Sequence, residues 1–173
     1  VIIPGSKNTC FDLRWLHDSG WSELLKTYAA GGGHILGICG GYQMLGKRVH
    51  DPDGLEGPPG STNGLGLLPV ETVLKAPKTT TLSAFEWKGV AGRGYEIHMG
   101  QTRLFEGNPL LTITERNGQS RNEADGAQSG DFSVMGTYVH GIFDTPGIPR
   151  LWLDKFGICK VPGSVGQGQL ERD

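Results

Sequence analysis

Residues 34–46 read HILGICGGYQMLG, and this stretch decides the fold. The apolar run over residues 34–38 predicts a buried strand, and residues 40–47 predict a helix that follows at once. Cys39 therefore stands at a sharp turn between strand and helix, with a glycine two places before it and another two places after. Small residues at those places let such a turn close without clashes. The pattern predicts a nucleophile elbow that exposes the thiol above the carboxyl edge of a sheet.

The residues before the elbow repeat the alternation of strand and helix. Residues 1–3 predict a buried strand, which the turn over residues 4–8 ends. Two helices are expected next, one capped by Asn8 or Thr9 and ended by Gly20, and one over residues 21–30. The second of these should face inward with Leu24, Leu25 and Tyr28. This alternation predicts an α/β fold with a mostly parallel twisted sheet flanked by helices.

The second half of the chain has a more β-like pattern. Residues 50–66 are rich in glycine, proline and aspartate and predict a loop. Strands are expected over residues 67–74, 94–104, 111–114 and 132–139, and a closing helix over residues 149–156. We interpret residues 1–157 as one domain and residues 158–173 as a C-terminal tail with little apolar surface to bury.

Composition excludes several classes of partner. The 173 residues carry 16 Lys and Arg against 18 Asp and Glu, a formal charge of −2, which argues against a nucleic-acid or anionic membrane partner. No apolar run approaches the ~20 residues that span a bilayer. Three widely spaced cysteines (Cys10, Cys39 and Cys159) imply no disulfide framework and favour a reducing, cytoplasmic setting.

The thiol at residue 39 has the surroundings of a nucleophile. A helix N-terminus favours thiolate, and the N–H of Gly40 points to where an oxyanion would form. Of the five histidines, we favour His140 as the base, because it ends an apolar run and precedes a glycine, as a side chain presented at a strand end would. The alternatives are a buried, inert cysteine and a histidine packed in a loop. The first is disfavoured, because a packed core would place side chains where glycines surround Cys39.

Three other patterns were weighed and rejected. Residues 41–48 resemble a phosphate-binding loop, but Arg48 stands where a Mg²⁺-binding hydroxyl is needed and the stretch looks helical. Residues 50–56 collect possible metal ligands, but Pro52 breaks the register of a calcium loop. Cys10 and Cys159 have no neighbouring cysteines or histidines of the kind that forms a zinc site.

Residues 36–46 resemble the nucleophile segment of class I glutamine amidotransferase domains, and more narrowly the branch found in cobyric acid synthases. The resemblance runs from residue 1 to about residue 156. The further stretches that support it are VIIPGSKNT (1–9), GLGLLPVET (64–72), GYEIHMG (94–100), DGA (125–127) and GTYVHGIFD (136–144).

The resemblance implies a glutaminase mechanism. Cys39 would attack the side-chain amide of glutamine, and His140 would act as general acid and base. The N–H of Gly40 and one from the turn at Gly5 and Ser6 would hold the oxyanion, and Gln43 matches a position that contacts glutamine.

The resemblance also implies partners. This domain would need no cofactor, but its ammonia would pass to an N-terminal synthetase domain that uses ATP and Mg²⁺. That domain amidates corrinoid carboxylates in cobalamin biosynthesis. A first strand of the glutaminase domain would precede Val1.

One position departs from the wider family. Most class I amidotransferases carry a glutamate two residues after the histidine, whereas Ile142 stands there in this chain. The resemblance to the cobyric acid synthase branch implies that this acid is absent. Glu96 or Asp144 are the candidates for orienting His140 instead. His98 has two interpretations, a residue facing the synthetase domain or a hydrogen-bonded strand histidine.

Other functions remain open at this point. Sister glutaminases, those of cobyrinic acid a,c-diamide synthase and of the lipid II amidating enzyme, have similar elbows. Peptidases and chaperones with a cysteine elbow normally carry a histidine where Gly40 stands. The non-enzymatic alternative is a domain that only docks onto a synthetase.

Overall fold

The computed structural model describes residues 1–154 and has an α/β fold. Its helices are α1 (Thr9–Asp18), α2 (Trp21–Ala30), α3 (Gly40–Leu45) and α4 (Ile148–Asp154), with a 3-10 helix at Ile142–Asp144. Its first strands are β1 (Ile2–Ile3), β2 (Ile35–Ile38), β3 (Arg48–Asp51), β4 (Gly60–Asn63), β5 (Val70–Val73) and β6 (Thr79–Trp87). The remaining strands are β7 (Val90–His98), β8 (Gln101–Leu104), β9 (Leu111–Arg116), β10 (Gln119–Asp125), β11 (Ala127–Gln128), β12 (Val134–Thr137) and β13 (Val139–His140).

The strand before the elbow lies in the middle of a four-stranded sheet. The order of that sheet is β1-β2-β12-β11, with β2 parallel to both of its neighbours. Successive residues of β2 reach opposite faces, so Ile35 belongs to one apolar core and Leu36 to the other. Because β2 is covered on both faces, it is continuously apolar. The predicted strand over residues 34–38 is therefore confirmed.

The two helices predicted before the elbow are also present. Asn8 caps α1, and its side chain accepts a hydrogen bond from the backbone N–H of Phe11. In α2, Leu25 is buried as expected. The prediction that Leu24 and Tyr28 face inward is wrong, because these side chains are 55% and 42% exposed on the outer side of the helix.

Antiparallel pairing dominates the other two sheets. One has the order β10-β9-β6-β7-β13 and the other β4-β3-β5-β8, in which only β3 and β5 run parallel. The expected parallel sheet is thus limited to the strands around the elbow, and the sheets as a whole are mixed. The longest hairpin, β6–β7, pairs Thr79 with His98 at one end and Trp87 with Val90 at the other. It brings the far end of β7 back toward the elbow.

The prediction of a loop over residues 50–66 is wrong in part. Residues 48–51 and 60–63 form the antiparallel pair β3–β4. Their glycines and prolines occupy the connection, while Val49 fills the core and is fully buried. The sequence pattern hid these strands because each has only four residues.

The C-terminal predictions fall partly outside the structure. Helix α4 confirms the start of the closing helix, but residues 155–156, the boundary at residue 157 and the tail over residues 158–173 lie outside the described residues. Within residues 1–154, no helix is long and apolar enough to cross a membrane.

Candidate active site

The turn at Cys39 has the backbone geometry of an elbow. Its φ of 55° and ψ of −113° are strained for a residue with a side chain. Two hydrogen bonds hold it there, from the N–H of Cys39 to the carbonyl of Thr137 at 2.9 Å and from the N–H of Gln43 to the carbonyl of Cys39 at 3.1 Å. The flanking glycines are required by close packing, since a Cβ on Gly37 would lie 2.6 Å from the backbone of Gly41.

The loop that follows β1 packs against the elbow. A Cβ built on Gly40 would lie 2.8 Å from the backbone nitrogen of Ser6, so these two residues are in direct contact. The Ser6 hydroxyl is turned away and donates to the carboxylate of Asp12 at 2.5 Å. Gly40 is the first residue of α3, so its N–H has no acceptor within the helix. The structure therefore brings the backbones of Gly5, Ser6 and Gly40 to the side of Cys39.

The imidazole of His140 reaches the same place from another sheet. A Cβ built on Gly5 would lie 3.3 Å from Cε1 of His140 and 3.7 Å from Sγ of Cys39. Both groups thus lie within 4 Å of one point, and a Cβ at residue 5 would crowd the imidazole. His140 stands in β13, which pairs with β7, and Asp125 anchors the segment before it by accepting from the Thr137 hydroxyl and the N–H of Tyr138.

The thiol and the imidazole are both held in their neutral forms. Burial raises the pKa of Cys39, and the N–H of Gly40 opposes this only in part. Burial likewise lowers the pKa of His140, and electrostatic interactions with His98 and Lys78 add to the effect. The Cys39 thiol donates to the carbonyl of Ile97 at 3.2 Å, and the buried Nε2 of His140 has no hydrogen-bond partner among the described residues.

Neither candidate for orienting His140 contacts it. The Glu96 carboxylate accepts from the Ser83 hydroxyl at 2.5 Å and from Nε of Arg116 at 2.9 Å. Burial raises the pKa of Glu96, but hydrogen bonding with His98, Arg116 and Ser83 lowers it further, to about 2. Asp144 lies in the 3-10 helix, with its carboxylate beside Gly141, and Ile142 is buried in the core.

Gln43 lies in the wall of the site, and both hydrogens of its amide group are used in hydrogen bonds. Its Oε1 accepts from the Thr9 hydroxyl at 3.1 Å, and its Nε2 donates to the carbonyl of Met99 at 2.9 Å and to the Tyr138 hydroxyl at 3.0 Å. Only the second lone pair of Oε1 is left for another donor. Gln43 thus ties α1, the end of β7 and β13's preceding turn to the elbow helix.

A cavity of about 160 Å³ opens beside the thiol. Its wall combines the loop after β1, the elbow and the end of β7, and it carries charged side chains of both signs from Lys7, Glu56 and Lys78. Sequence reasoning missed these three, because a charged residue in a loop looks like ordinary solvated surface. It also missed Ile97, whose contribution is a backbone carbonyl and leaves no trace in residue type.

His98 separates this cavity from a larger one. Its ring stacks on Tyr138 with centroids 3.7 Å apart, and its Nε2 lies 3.7 Å from the Glu96 carboxylate. It lines the small cavity on one side and, on the other, a cavity of about 660 Å³ that Glu96, Arg116 and Asp125 also line. His98 is therefore a packed strand histidine that also forms part of the cavity wall.

The rejected patterns have other structural explanations. Residues 40–45 of the apparent phosphate loop form α3. His50 lies in β3, where it contacts the Ser61 hydroxyl and the Glu71 carboxylate, and is not in a solvated loop as predicted. Within the described part of the chain, no group of three or more His, Cys, Asp or Glu side chains could hold a metal ion.

These features define an α/β domain with a cysteine elbow and an imidazole beside the thiol, built from separate strands. The model of the CobB/CobQ-like glutamine amidotransferase domain matches residues 1–147, and the chain belongs to that family.

Curated relatives support the same assignment. A cobyric acid synthase of Chlorobium phaeobacteroides strain BS1 is 54% identical over 180 residues, covering 100% of this chain and 35% of the relative. One of Chlorobaculum tepidum is 50% identical over 155 residues, covering 88% of this chain and 31% of the relative. The chain thus spans about a third of the length of these relatives.

Solved structures share the fold at low sequence identity. A crystal structure of a glutamine amidotransferase matches with a TM-score of 0.62 at 18% identity, covering 90% of this chain and 78% of that one. The structure of PurLQS from Thermotoga maritima matches with a TM-score of 0.52 at 16% identity, and the match covers 78% of this chain and 68% of that one.

Proposed function

We propose that this chain is the glutaminase domain of a cobyric acid synthase, with Cys39 as nucleophile and His140 as general acid and base. The observation that carries the proposal is the convergence of the Cys39 thiol and the His140 imidazole on Gly5. A buried thiol with a raised pKa needs such a base to become nucleophilic.

The first half of the reaction forms a thioester. As glutamine binds, the Cys39 proton passes to His140 and the thiolate attacks the side-chain amide carbon. The negative charge that develops on the amide oxygen is stabilised by the N–H of Gly40 and by an N–H from Gly5 or Ser6. His140 then gives its proton to the departing nitrogen, and ammonia leaves as the carbon–nitrogen bond breaks.

The second half regenerates the enzyme. Neutral His140 takes a proton from water, which attacks the thioester carbonyl at the same oxyanion position. The tetrahedral intermediate collapses, glutamate leaves, and the proton on His140 returns to the Cys39 sulfur. Glutamine and water thus give glutamate and ammonia, with no net change in the protein.

The charges around the cavity suit a free amino acid. Glutamine carries an α-ammonium and an α-carboxylate, and the cavity wall offers a carboxylate at Glu56 and ammonium groups at Lys7 and Lys78. Oε2 of Glu56 accepts from the N–H of Cys10 at 3.0 Å, which fixes the carboxylate at the start of α1. Gln43 shapes the same wall and offers glutamine one remaining acceptor position.

The rest of the activity belongs to a longer protein. The relatives named cobyric acid synthase are about three times as long as this chain. We propose that ammonia passes to an N-terminal synthetase domain that uses ATP and Mg²⁺ to activate corrinoid carboxylates for amidation. Since Cys10 and Cys39 are free thiols, the setting that we propose is the reducing cytoplasm.

Active-site labelling tests the proposal. Incubation with 6-diazo-5-oxo-L-norleucine, a glutamine analogue that alkylates nucleophilic thiols, should modify Cys39 alone, as read by peptide mass spectrometry. Excess L-glutamine should protect it, and the Cys10→Ala variant should label normally. Cys39→Ala should abolish both labelling and the release of glutamate from glutamine. Glutamate release that survives in Cys39→Ala would refute the assignment.

A further inference from the structure

The sequence suggested two carboxylates that could orient the imidazole of His140, those of Glu96 and Asp144, and neither contacts it. Glu96 is the neighbour of Tyr95 in β7, and successive side chains of a strand point to opposite faces. Since Tyr95 shares a face with His140, Glu96 points away from it, toward Ser83 and Arg116. The backbone carbonyl of Ile97 accepts a hydrogen bond from the imidazole, and the faces of the ring are left for another group to hold.

The ring of Tyr95 lies flat against the imidazole. His140 and Tyr95 are directly opposite each other in the antiparallel pair β13–β7. Their rings are 4.9 Å apart at the centroids and only 4° from parallel, the geometry of an offset stack. Gly94 permits this approach, because a Cβ there would overlap the carbonyl oxygen of His140. The close pairing of β13 with β7 at Gly94 therefore also sets the distance between the Tyr95 and His140 rings.

We propose that Tyr95 is the positioning residue for His140 and takes the place of the missing carboxylate. Its face fixes the plane of the imidazole with respect to Cys39, and its π electrons stabilise the imidazolium that forms when the thiol gives up its proton. The proposal rests on the role of His140 as the base.

The other groups that face His140 make this support necessary. His98, at the end of β7, and Lys78, before β6, both interact electrostatically with the imidazole and lower its pKa. The carbonyl of Ile97 acts in the opposite direction, and Cys39 faces the ring from the elbow. The negative π face of Tyr95 lies against the imidazole and offsets part of the repulsion between protonated His140 and Lys78.

Two substitutions separate the π face from simple bulk. Tyr95→Phe keeps the ring, whereas Tyr95→Leu keeps apolar cover without a π face. Tyr95 is 43% exposed, so both variants should fold, and circular dichroism checks this. Phe105→Leu removes an aromatic ring of similar exposure, 49%, from the residue that follows β8 and is the matched control. Tyr95→Met replaces Tyr95→Leu if the leucine variant does not fold.

The main readout is an NMR titration of the His140 Cε1–H signal in the 173-residue chain, assigned with His140→Gln. It needs no turnover. We expect Tyr95→Leu to lower the pKa of His140 by about half a unit, and Tyr95→Phe and Phe105→Leu to change it by less than about 0.2. In glutaminase assays, Tyr95→Leu should lower kcat about threefold to tenfold with KM unchanged, because Tyr95 does not line the cavity.

The outcomes distinguish this proposal from the one that it rests on. An unchanged His140 pKa and an unchanged kcat in Tyr95→Leu would overturn the role of Tyr95. An equal loss in Tyr95→Phe and Tyr95→Leu would also overturn it, because the ring would then not be what matters. Full glutaminase activity in His140→Gln would instead show that His140 is not the base, whatever the Tyr95 variants do.

Discussion

The Cys39 thiol donates its hydrogen bond to the carbonyl of Ile97, 3.2 Å away. In this arrangement the thiol keeps its proton, and Nε2 of the neighbouring His140 has no hydrogen-bond partner within residues 1–154. For Cys39 to act as the proposed nucleophile, its thiol must give up the hydrogen bond to the Ile97 carbonyl and transfer the proton to the His140 imidazole.

The pH profile of kcat/KM should show its acid limb below pH 6.5. His140 has to be neutral to accept the thiol proton, and its folded-state pKa lies below the ordinary value of 6.5. Activity should therefore persist as the pH falls to 6.5 and decline only as it falls through the lowered pKa. Initial rates of glutamate release from pH 4.5 to 9 measure this. An acid limb centred well above pH 6.5 would mean that a different group, or a charged His140, controls the rate.

Gly5→Ala should impair catalysis while the fold is retained. The new Cβ would lie 3.3 Å from Cε1 of His140, which is tighter than ordinary contact, so the imidazole must shift by a few tenths of an ångström. We expect kcat to fall about tenfold to a hundredfold, since small errors in placing a catalytic group are costly.

The matched control for Gly5→Ala is Gly130→Ala, because a Cβ on Gly130 meets nothing within 4 Å. Its kcat should equal that of the unmodified chain. If Gly5→Ala were equally active, the contact between His140 and Gly5 would not exist in the working enzyme.

Glu56→Gln should raise KM for glutamine about tenfold with a smaller change in kcat. The carboxylate faces the cavity and would lose its attraction for the α-ammonium group of the substrate. Glutaramate, which has the same side-chain amide and no α-ammonium, provides the comparison. The KM for glutaramate should be high and equal in the two proteins. If Glu56→Gln raised the KM for glutamine and for glutaramate by the same factor, the role of Glu56 would be purely structural.

Glu96→Gln should destabilise the fold. The pKa of Glu96 is about 2 against an ordinary 4.5, so its ionised form stabilises the folded state above pH 4.5 and this contribution is lost as the pH falls through about 2. At pH 7 we expect about 3 kcal/mol lower free energy of unfolding, because Arg116 loses its buried partner.

Urea unfolding measures this, and Glu106→Gln is the control. Glu106 is 75% exposed and 4.0 Å from Lys47, so its loss should cost less than about 0.5 kcal/mol. A loss of less than about 1 kcal/mol in Glu96→Gln would mean that the ion pair with Arg116 does not stabilise the fold.

The elbow was predictable because its determinants are local in the sequence. A continuous apolar strand, glycines on both sides of Cys39 and a helical stretch all fall within residues 34–46. The strands of 48–51 and 60–63 were missed for the opposite reason. Each is short and rich in turn residues, and each becomes a strand only by pairing with the other and, for β3, with β5.

By itself, the sequence determined a cysteine elbow in an α/β domain and a small set of histidines that could serve it. Only the tertiary structure decided which groups surround that histidine. The Tyr95 ring, the Ile97 carbonyl and the gap at Gly5 come from strands and loops far apart along the chain. The physical reason is that an elbow is a property of consecutive backbone angles, whereas a proton path depends on distances between sheets that no local pattern encodes.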